Sequence, residues 1–193
     1  MRVAIIGCGL IGMKRMNALS SNDKLIAVCD KRINKIKKNI KFPNVKFFNS
    51  YRSLLKIEDI ELVIIAVENY QSFHIVIDSL NSKKHVLCEK PLGINSFQAK
   101  KIYDLSKINK LHVKVGFNHR YHPSIIKARE IISSGKLGEL MFIRGRYGHG
   151  GRVGYDKEWR SLPEKGGGEL LDQGPHLIDI SRLILGDFVE QSG

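Results

Sequence analysis

The chain has 193 residues, of which 42% are hydrophobic, so it can form one globular domain or one domain and a fraction. No apolar run approaches the roughly 18–20 residues of a membrane span, and the early apolar stretch at residues 3–6 is too short for a signal peptide. We therefore expect a cytoplasmic protein without membrane association. The formal net charge is +13, but no basic block alternates with aromatic residues, so nucleic acid binding is not predicted.

Cys8, Cys29 and Cys88 each lie in or beside an apolar run. Their spacing matches neither a disulfide framework nor a metal site. We expect them to be buried, reduced thiols that pack as small hydrophobic side chains.

Strands and helices alternate along the first 116 residues. Apolar runs predict strands at residues 2–6, 25–29, 45–48, 62–67, 85–88 and 111–116. Helices are predicted between these strands, at residues 12–20 and 33–40. A further helix is indicated by the helical spacing of Phe73, Ile77 and Leu80, and another follows a cap at Asn95 or Ser96. This order predicts an α/β fold with a doubly wound parallel sheet, and six strands fill a dinucleotide-binding Rossmann domain.

The pattern changes after residue 116. A helix is predicted at 124–133, a strand at 140–147, an irregular glycine-rich segment at 148–168 and a helix at 169–185. Pro175 removes a helical hydrogen bond, so the last helix should kink or begin late. We expect two domains, a dinucleotide-binding domain at 1–118 and a partial substrate domain at 119–193.

A glycine motif stands between the first strand and the first helix. Gly7 permits a tight turn, Gly9 lets the backbone approach a pyrophosphate, and Gly12 lets helix and strand pack closely. The N-terminus of the helix would then face the phosphates with its unpaired N–H groups. The motif therefore predicts binding of a nicotinamide dinucleotide, with Leu10 and Ile11 included in the loop.

Asp30 ends the second strand 18 residues after Gly12, close to the spacing at which a carboxylate binds the ribose hydroxyls. Such a carboxylate favours NAD because it would repel a 2′-phosphate. Lys31 and Arg32 follow directly and would attract that phosphate, so NADP stays an alternative.

Glu89, Lys90 and Pro91 follow the fifth strand, at the edge of the sheet where ligands of doubly wound folds bind. A lysine at this edge can hydrogen-bond a substrate hydroxyl and stabilise charge during hydride transfer. The alternative is an exposed lysine at the end of a strand.

Asp172, His176 and Asp179 share one face of the last predicted helix. A carboxylate beside a histidine suits proton transfer, because it selects the tautomer and stabilises the imidazolium. The alternative is a solvated polar face with a capping aspartate.

Together these motifs resemble the glucose-fructose oxidoreductase and inositol dehydrogenase family (Gfo/Idh/MocA). The resemblance covers essentially the whole chain, through GCGLIG at 7–12, EKP at 89–91, GFNHRYHP at 116–123, EWR at 158–160 and GGGELLDQGPHLID at 166–179. It implies NAD(P)-dependent oxidation or reduction of a sugar or cyclitol carbon. It also implies that an open, mostly antiparallel sheet follows the Rossmann domain.

The resemblance assigns roles to individual residues. Lys90 would contact the nicotinamide and the reacting hydroxyl, His176 would be the general acid/base, and Asp172 would position substrate or share the proton transfer. Tyr121 and His122 are weaker candidates for substrate contact. The expected cofactor contacts are Gly7, Gly9, Leu10, Ile11, Gly12, Asp30, Lys31, Arg32, Val67, Glu89, Lys90, Asn118, Trp159 and Arg160.

The loop at 148–155 either covers a substrate, through Arg152 or Tyr155, or is a plain connection. His119 and His122 are three residues apart, but no third ligand lies near them in the sequence, so no metal is predicted. Family members usually continue well beyond this length, so we expect only the beginning of the second domain. The resemblance leaves open whether the chain forms a homo-oligomer.

Three functions are compatible with these features. The first is an oxidoreductase acting on a small-molecule substrate, namely a sugar, a nucleotide-sugar or a cyclitol; the basic charge favours an anionic sugar, as in polysaccharide biosynthesis. The second is a glycoside hydrolase on the same scaffold that uses bound NAD. The third is a non-catalytic NAD-binding protein.

Overall fold

The computed structural model describes residues 1–148 and 153–190. The chain divides into two compact units. The first contains Met1–Gly116 together with Glu164–Gly166, and the second comprises the other described residues from Phe117 onwards.

The first unit contains one parallel sheet of six strands in the order β3-β2-β1-β4-β5-β6. The order reverses direction between β1 and β4, which is the point where doubly wound sheets bind their ligands. The predicted Rossmann topology is therefore confirmed. The strands are β1 (Arg2–Ile6), β2 (Lys24–Cys29), β3 (Lys46–Phe48), β4 (Leu62–Ile65), β5 (His85–Cys88) and β6 (Val113–Val115).

Both faces of this sheet are covered by apolar side chains. Successive side chains of a strand point to opposite faces, and on β1 Ala4 and Ile6 join one buried cluster while Val3 and Ile5 join another. A strand buried on both sides needs apolar residues at every position, which explains the continuous runs in the sequence. All three cysteines are free and buried.

Five helices belong to the first unit: α1 (Leu10–Asn17), α2 (Ile33–Ile36), α3 (Tyr51–Leu55), α4 (Asn69–Asn81) and α5 (Ser96–Ile108). The helix predicted at 33–40 is shorter, because a 3-10 turn at Lys37–Asn39 replaces its second half. Helix α3 was not predicted, since one short turn shows no periodicity, yet it buries Leu54 and Leu55. Asn95 caps α5 by accepting a hydrogen bond from the backbone N–H of Gln98, as expected.

The second unit contains α6 (Pro123–Ser133), α7 (Glu169–Asp172) and α8 (Gly174–Leu185), with 3-10 turns at Asn118–Tyr121, Tyr155–Lys157 and Trp159–Ser161. The single helix predicted at 169–185 is thus two helices, and α8 begins late, with Pro175 in its first turn. In the part of the chain that the structure describes, no helix is long and apolar enough to span a bilayer.

The strand predicted at 140–147 is wrong. A strand needs a hydrogen-bonded neighbour, and no described segment pairs with these residues. Met141 is 91% exposed and Phe142 is 76% exposed, so these two apolar side chains of the predicted strand are not packed.

Candidate functional site

The turn after β1 can be made only by glycine. Gly7 has a φ of +90°, and a Cβ on it would lie 2.3 Å from the carbonyl oxygen of Ala66. Its N–H donates to the carbonyl oxygen of Cys29 at 2.8 Å. Val67 lies beside this turn, because the same added Cβ would come 2.9 Å from its Cγ1.

Gly12 and Gly9 serve different purposes in the glycine loop. A Cβ on Gly12 would lie 1.8 Å from the carbonyl oxygen of Gly7, so Gly12 allows the close packing of α1 against the turn. A Cβ on Gly9 would meet no atom within 4 Å, so open space lies beside this residue. Gly9 also caps α1 without a side-chain hydrogen bond. Open space at the positive end of a helix fits a pyrophosphate.

Asp30 is fixed beside the glycine loop by two backbone hydrogen bonds. Its Oδ2 accepts from the N–H of Cys8 at 2.9 Å, and its Oδ1 accepts from the N–H of Arg32 at 2.8 Å. A carboxylate offers about four acceptor positions, so acceptor capacity remains for ribose hydroxyls. The side chains of Lys31 and Arg32 are exposed, and Arg32 Nε lies 3.8 Å from Asp30 Oδ1.

The three buried thiols are poor nucleophiles. Burial, followed by the charge of Asp30, raises the pKa of Cys8 to about 12 and that of Cys29 to about 11. Burial also raises the pKa of Cys88 to about 12. A thiol reacts through its thiolate, so these residues contribute packing to the site.

Lys90 follows β5, and its neighbour Glu89 connects three elements at that end of the sheet. Glu89 Oε1 accepts from Nε of Arg15 at 2.5 Å, which joins α1 to the end of β5. A Cβ on Gly116 would lie 2.8 Å from Glu89 Oε2, so this carboxylate also packs on the end of β6. Arg15 was not predicted as a site residue. The peptide bond between Lys90 and Pro91 is cis.

The polar face of α7 and α8 is buried. Asp172, His176 and Asp179 are each 6% exposed, which excludes the solvated polar face as an interpretation. Asp172 lies at the end of α7, where its N–H donates to the carbonyl oxygen of Gly168 at 2.9 Å. Its Oδ2 accepts from Nε2 of Gln173 at 3.2 Å. His176 lies in the first turn of α8.

Arg160 is held next to Asp172, with 3.9 Å between Arg160 Nε and Asp172 Oδ2. Its guanidinium also lies over the ring of Trp159 and contacts Glu158 at 3.2 Å. The hydroxyl of Tyr155 donates to the carbonyl oxygen of Arg160 at 3.4 Å. Burial, together with the charge of Asp172, raises the pKa of Tyr155. Several residues predicted as separate contacts therefore form one cluster in the second unit.

His176 and Asp179 have partners that sequence reasoning missed. The ring of His119 stacks on that of His176, with centroids 3.8 Å apart and an angle of 11° between the planes. Asp179 forms a bidentate ion pair with Arg120, and the hydrogen bonds that Asp179 accepts raise the pKa of Arg120. Asp179 therefore has a structural partner in Arg120.

The other expected contacts are less constrained. Leu10, Asn118 and Tyr121 are exposed, and Ile11 is half-buried. His122 caps α6 through Ser124, with 2.6 Å between its Nδ1 and the serine Oγ. Arg152 lies outside the described residues. Within residues 1–148 and 153–190, no group of three or more His, Cys, Asp or Glu side chains is arranged to hold a metal ion.

The parallel sheet, its reversal beside β1 and the glycine loop define an NAD-binding Rossmann domain. Residues 1–117 match the model described as the oxidoreductase family with an NAD-binding Rossmann fold, and residues 125–193 match the GFO/IDH/MocA C-terminal domain. The chain belongs to the GFO/IDH/MocA family of NAD-binding oxidoreductases.

The relatives include named dehydrogenases. Levoglucosan dehydrogenase of Pseudarthrobacter phenanthrenivorans is 32% identical over 72% of this chain and 37% of its own length. Inositol 2-dehydrogenase of Salmonella typhimurium is 29% identical over 76% of this chain and 46% of its own length. The solved myo-inositol 2-dehydrogenase of Lactobacillus plantarum has a TM-score of 0.82 and 26% identity, covering 95% of this chain and 56% of that one. The chain spans about half the length of the curated relatives it matches.

Proposed function

We propose that the chain carries the NAD site and the acid/base residues of a dehydrogenase that acts on a hydroxyl-bearing carbon of a sugar or cyclitol. The observation that carries this proposal is that Asp172 and His176 are both buried in a chain with an NAD-binding domain. Burial of a carboxylate and a histidine costs free energy unless they are partnered. Asp179 holds Arg120 in an ion pair, so Asp172 and His176 are the two residues of this face that we assign to proton transfer.

Oxidation of a carbinol requires that a proton leave the hydroxyl oxygen as a hydride leaves the carbon. Bound NAD supplies the hydride acceptor. His176 takes the proton, because a neutral imidazole is the base best matched to neutral pH. Asp172 stabilises the imidazolium that results. Lys90, at the end of β5, is assigned to hydrogen-bond a substrate hydroxyl and to stabilise negative charge on its oxygen.

Contacts with the cofactor are assigned to the first unit. The open space at Gly9 and the N-terminus of α1 receive the pyrophosphate, and Asp30 accepts from the ribose hydroxyls. The fixed carboxylate of Asp30 would lie against a 2′-phosphate, so we propose that NAD is preferred over NADP. The exposed side chains of Lys31 and Arg32 offset part of that repulsion.

The substrate class rests on the relatives and on charge. The relatives named above act on inositol and levoglucosan, and a glucose-6-phosphate 3-dehydrogenase of Bacillus subtilis is 29% identical over 99% of this chain. All three substrates are polyhydroxylated rings. With a net charge of +13, we propose that this chain accepts an anionic member of that class, a phosphorylated or nucleotide-linked sugar.

The test is the appearance of NADH absorbance when the chain is mixed with NAD and a panel of cyclitols, free sugars, sugar phosphates and nucleotide-sugars. We expect turnover with at least one member and none with His176→Asn, which keeps a polar hydrogen-bonding side chain but cannot exchange a proton near neutral pH. The Asn variant should still bind NADH. Release of sugar from a glycoside without net NADH would instead indicate a hydrolase. Tight NAD binding without any turnover would contradict the proposal.

A further inference from the structure

The ring of His119 covers one face of the His176 imidazole. The two planes are nearly parallel, at 11°, and their centroids are 3.8 Å apart. Tyr147 meets both rings edge-on, with its centroid 5.3 Å from that of His119 and 6.2 Å from that of His176. Phe117 approaches His176 edge-on at 6.4 Å. The His176 ring thus has one flat neighbour and two ring edges around it.

This stack does not have the geometry of a metal site. The nitrogen lone pairs of an imidazole lie in the plane of the ring. In two rings inclined by only 11° those lone pairs run side by side and do not converge on one ion. The contact is therefore a packing contact between flat faces.

The neighbouring residue anchors His119. Arg120 forms a two-pronged ion pair with the buried Asp179, which lies one helical turn after His176 on α8. Two consecutive residues of the 3-10 turn at Asn118–Tyr121 therefore contact two residues of α8 one turn apart. A bidentate ion pair between an arginine and a carboxylate is directional. The backbone that carries His119 therefore has a defined position relative to α8.

We propose that His119 is a positioning residue that fixes the orientation of the His176 ring for proton transfer, which rests on the function proposed above. Rotation about the Cβ–Cγ bond of histidine is intrinsically broad. A flat ring stacked on one face removes most of that freedom, so the His176 ring is held in one plane and its proton-accepting nitrogen is confined to the two orientations that a 180° ring flip interconverts. The stack requires planarity and not a proton, which distinguishes this role from a second acid or base.

The variants follow from that distinction. His119→Phe keeps a flat ring, whereas His119→Leu keeps apolar bulk without a flat face. His112→Leu is the matched control, because His112 also lies beside another histidine, His85, at 5.2 Å, but in the first unit. Thermal unfolding of each variant shows whether it is folded.

The first readout is the NMR spectrum of the histidine ring protons, with the His176 signals assigned by their loss in His176→Gln. We expect an upfield ring-current shift of the His176 ring protons in the wild type, retained in His119→Phe and His112→Leu and lost in His119→Leu. Cross-relaxation between the His119 and His176 ring protons of the wild type tests the stack without any substitution. Absence of that cross-relaxation, or an unchanged His176 spectrum in a folded His119→Leu, would overturn the proposal.

The second readout is kinetic. A displacement of about 1 Å at a reacting group can cost on the order of 100-fold in rate, so we expect kcat of His119→Leu to fall roughly 10- to 100-fold with KM for NAD unchanged. His119→Phe should stay within roughly threefold of the wild type, because the flat contact remains. Equal kcat in the Leu variant and the wild type would overturn the proposal. Failure of the proposed function would appear as a wild type without turnover, while the NMR readout would still report on the stack.

Discussion

Replacing Gly9 by alanine should separate cofactor binding from folding. The added Cβ would meet no atom within 4 Å, and the backbone of Gly9 has a negative φ of −71° that alanine adopts freely. Alanine is a poorer N-cap than glycine by a few tenths to about 1 kcal/mol. Alanine also lowers the conformational entropy of the unfolded chain, which stabilises the folded state by about 0.4–1 kcal/mol. We therefore expect an unfolding free energy close to that of the wild type.

The same methyl group would fill the space that we assign to the pyrophosphate. Loss of one hydrogen bond to a charged group costs about 1.5–3 kcal/mol, which corresponds to a roughly 10- to 150-fold rise in the Kd for NADH. Gly12→Ala is the matched control, because its Cβ would lie 1.8 Å from the carbonyl oxygen of Gly7. That variant should lose at least about 2–3 kcal/mol of stability, or roughly 5–10 °C in Tm for a chain of this size.

The assay is calorimetric titration of NADH into each variant, with thermal unfolding measured in parallel. Gly9→Ala should have the same Tm as the wild type but bind NADH weakly. Gly12→Ala should have a lower Tm than the wild type. A Gly9→Ala variant that binds NADH as tightly as the wild type would refute the placement of the phosphates. A Gly9→Ala variant whose Tm is as low as that of Gly12→Ala would refute the inference that the fold has room for a Cβ at Gly9.

Asp30→Asn keeps one side-chain oxygen that can accept from a backbone N–H but removes the charge, so we expect the Kd for NAD to rise about tenfold. The ratio of the Kd for NADP to the Kd for NAD should fall, and an unchanged ratio would contradict the role assigned to Asp30. Asp179→Asn should lower the unfolding free energy by about 1–3 kcal/mol, because its guanidinium partner loses a charged acceptor; an unchanged Tm would contradict this. Burial raises the pKa of Cys8, Cys29 and Cys88 from an ordinary 9.0 to about 12, 11 and 12. Their contribution to stability is therefore full below pH 9 and is lost as the pH rises through 11–12, because the unfolded state releases protons first. A variant with alanine at all three positions should lose less stability over that range in denaturant titrations, and equal losses would contradict the argument.

The sheet of the first unit could be predicted because each of its signals is local. Strands buried on both faces need continuous apolar runs, and the turn at Gly7 needs a residue that tolerates a φ of +90°. Helix α3 escaped prediction because five residues are too few to show a helical period. The strand at 140–147 was wrongly predicted, because β-propensity is a property of one segment, whereas a strand also needs a second segment with which it forms hydrogen bonds.

The candidate site was predictable in its residue types and not in its contacts. Helical spacing placed Asp172 and His176 on one face, but spacing does not show whether that face is buried. The contacts of His119 with His176 and of Arg120 with Asp179 join residues far apart in the sequence. No periodicity reports such pairs, since they depend on how the 3-10 turn packs against α8.

Hydride transfer from a hydroxyl-bearing carbon is the central claim, and the fate of an isotopic label tests it most directly. The chain is incubated with NAD and carbon-deuterated cyclitols, sugars, sugar phosphates and nucleotide-sugars, and the nicotinamide product is analysed by mass spectrometry. We predict deuterium on the nicotinamide ring with at least one substrate, and none with His176→Asn. Recovery of unlabelled cofactor throughout, from a chain shown by calorimetry to bind NADH, would contradict the account.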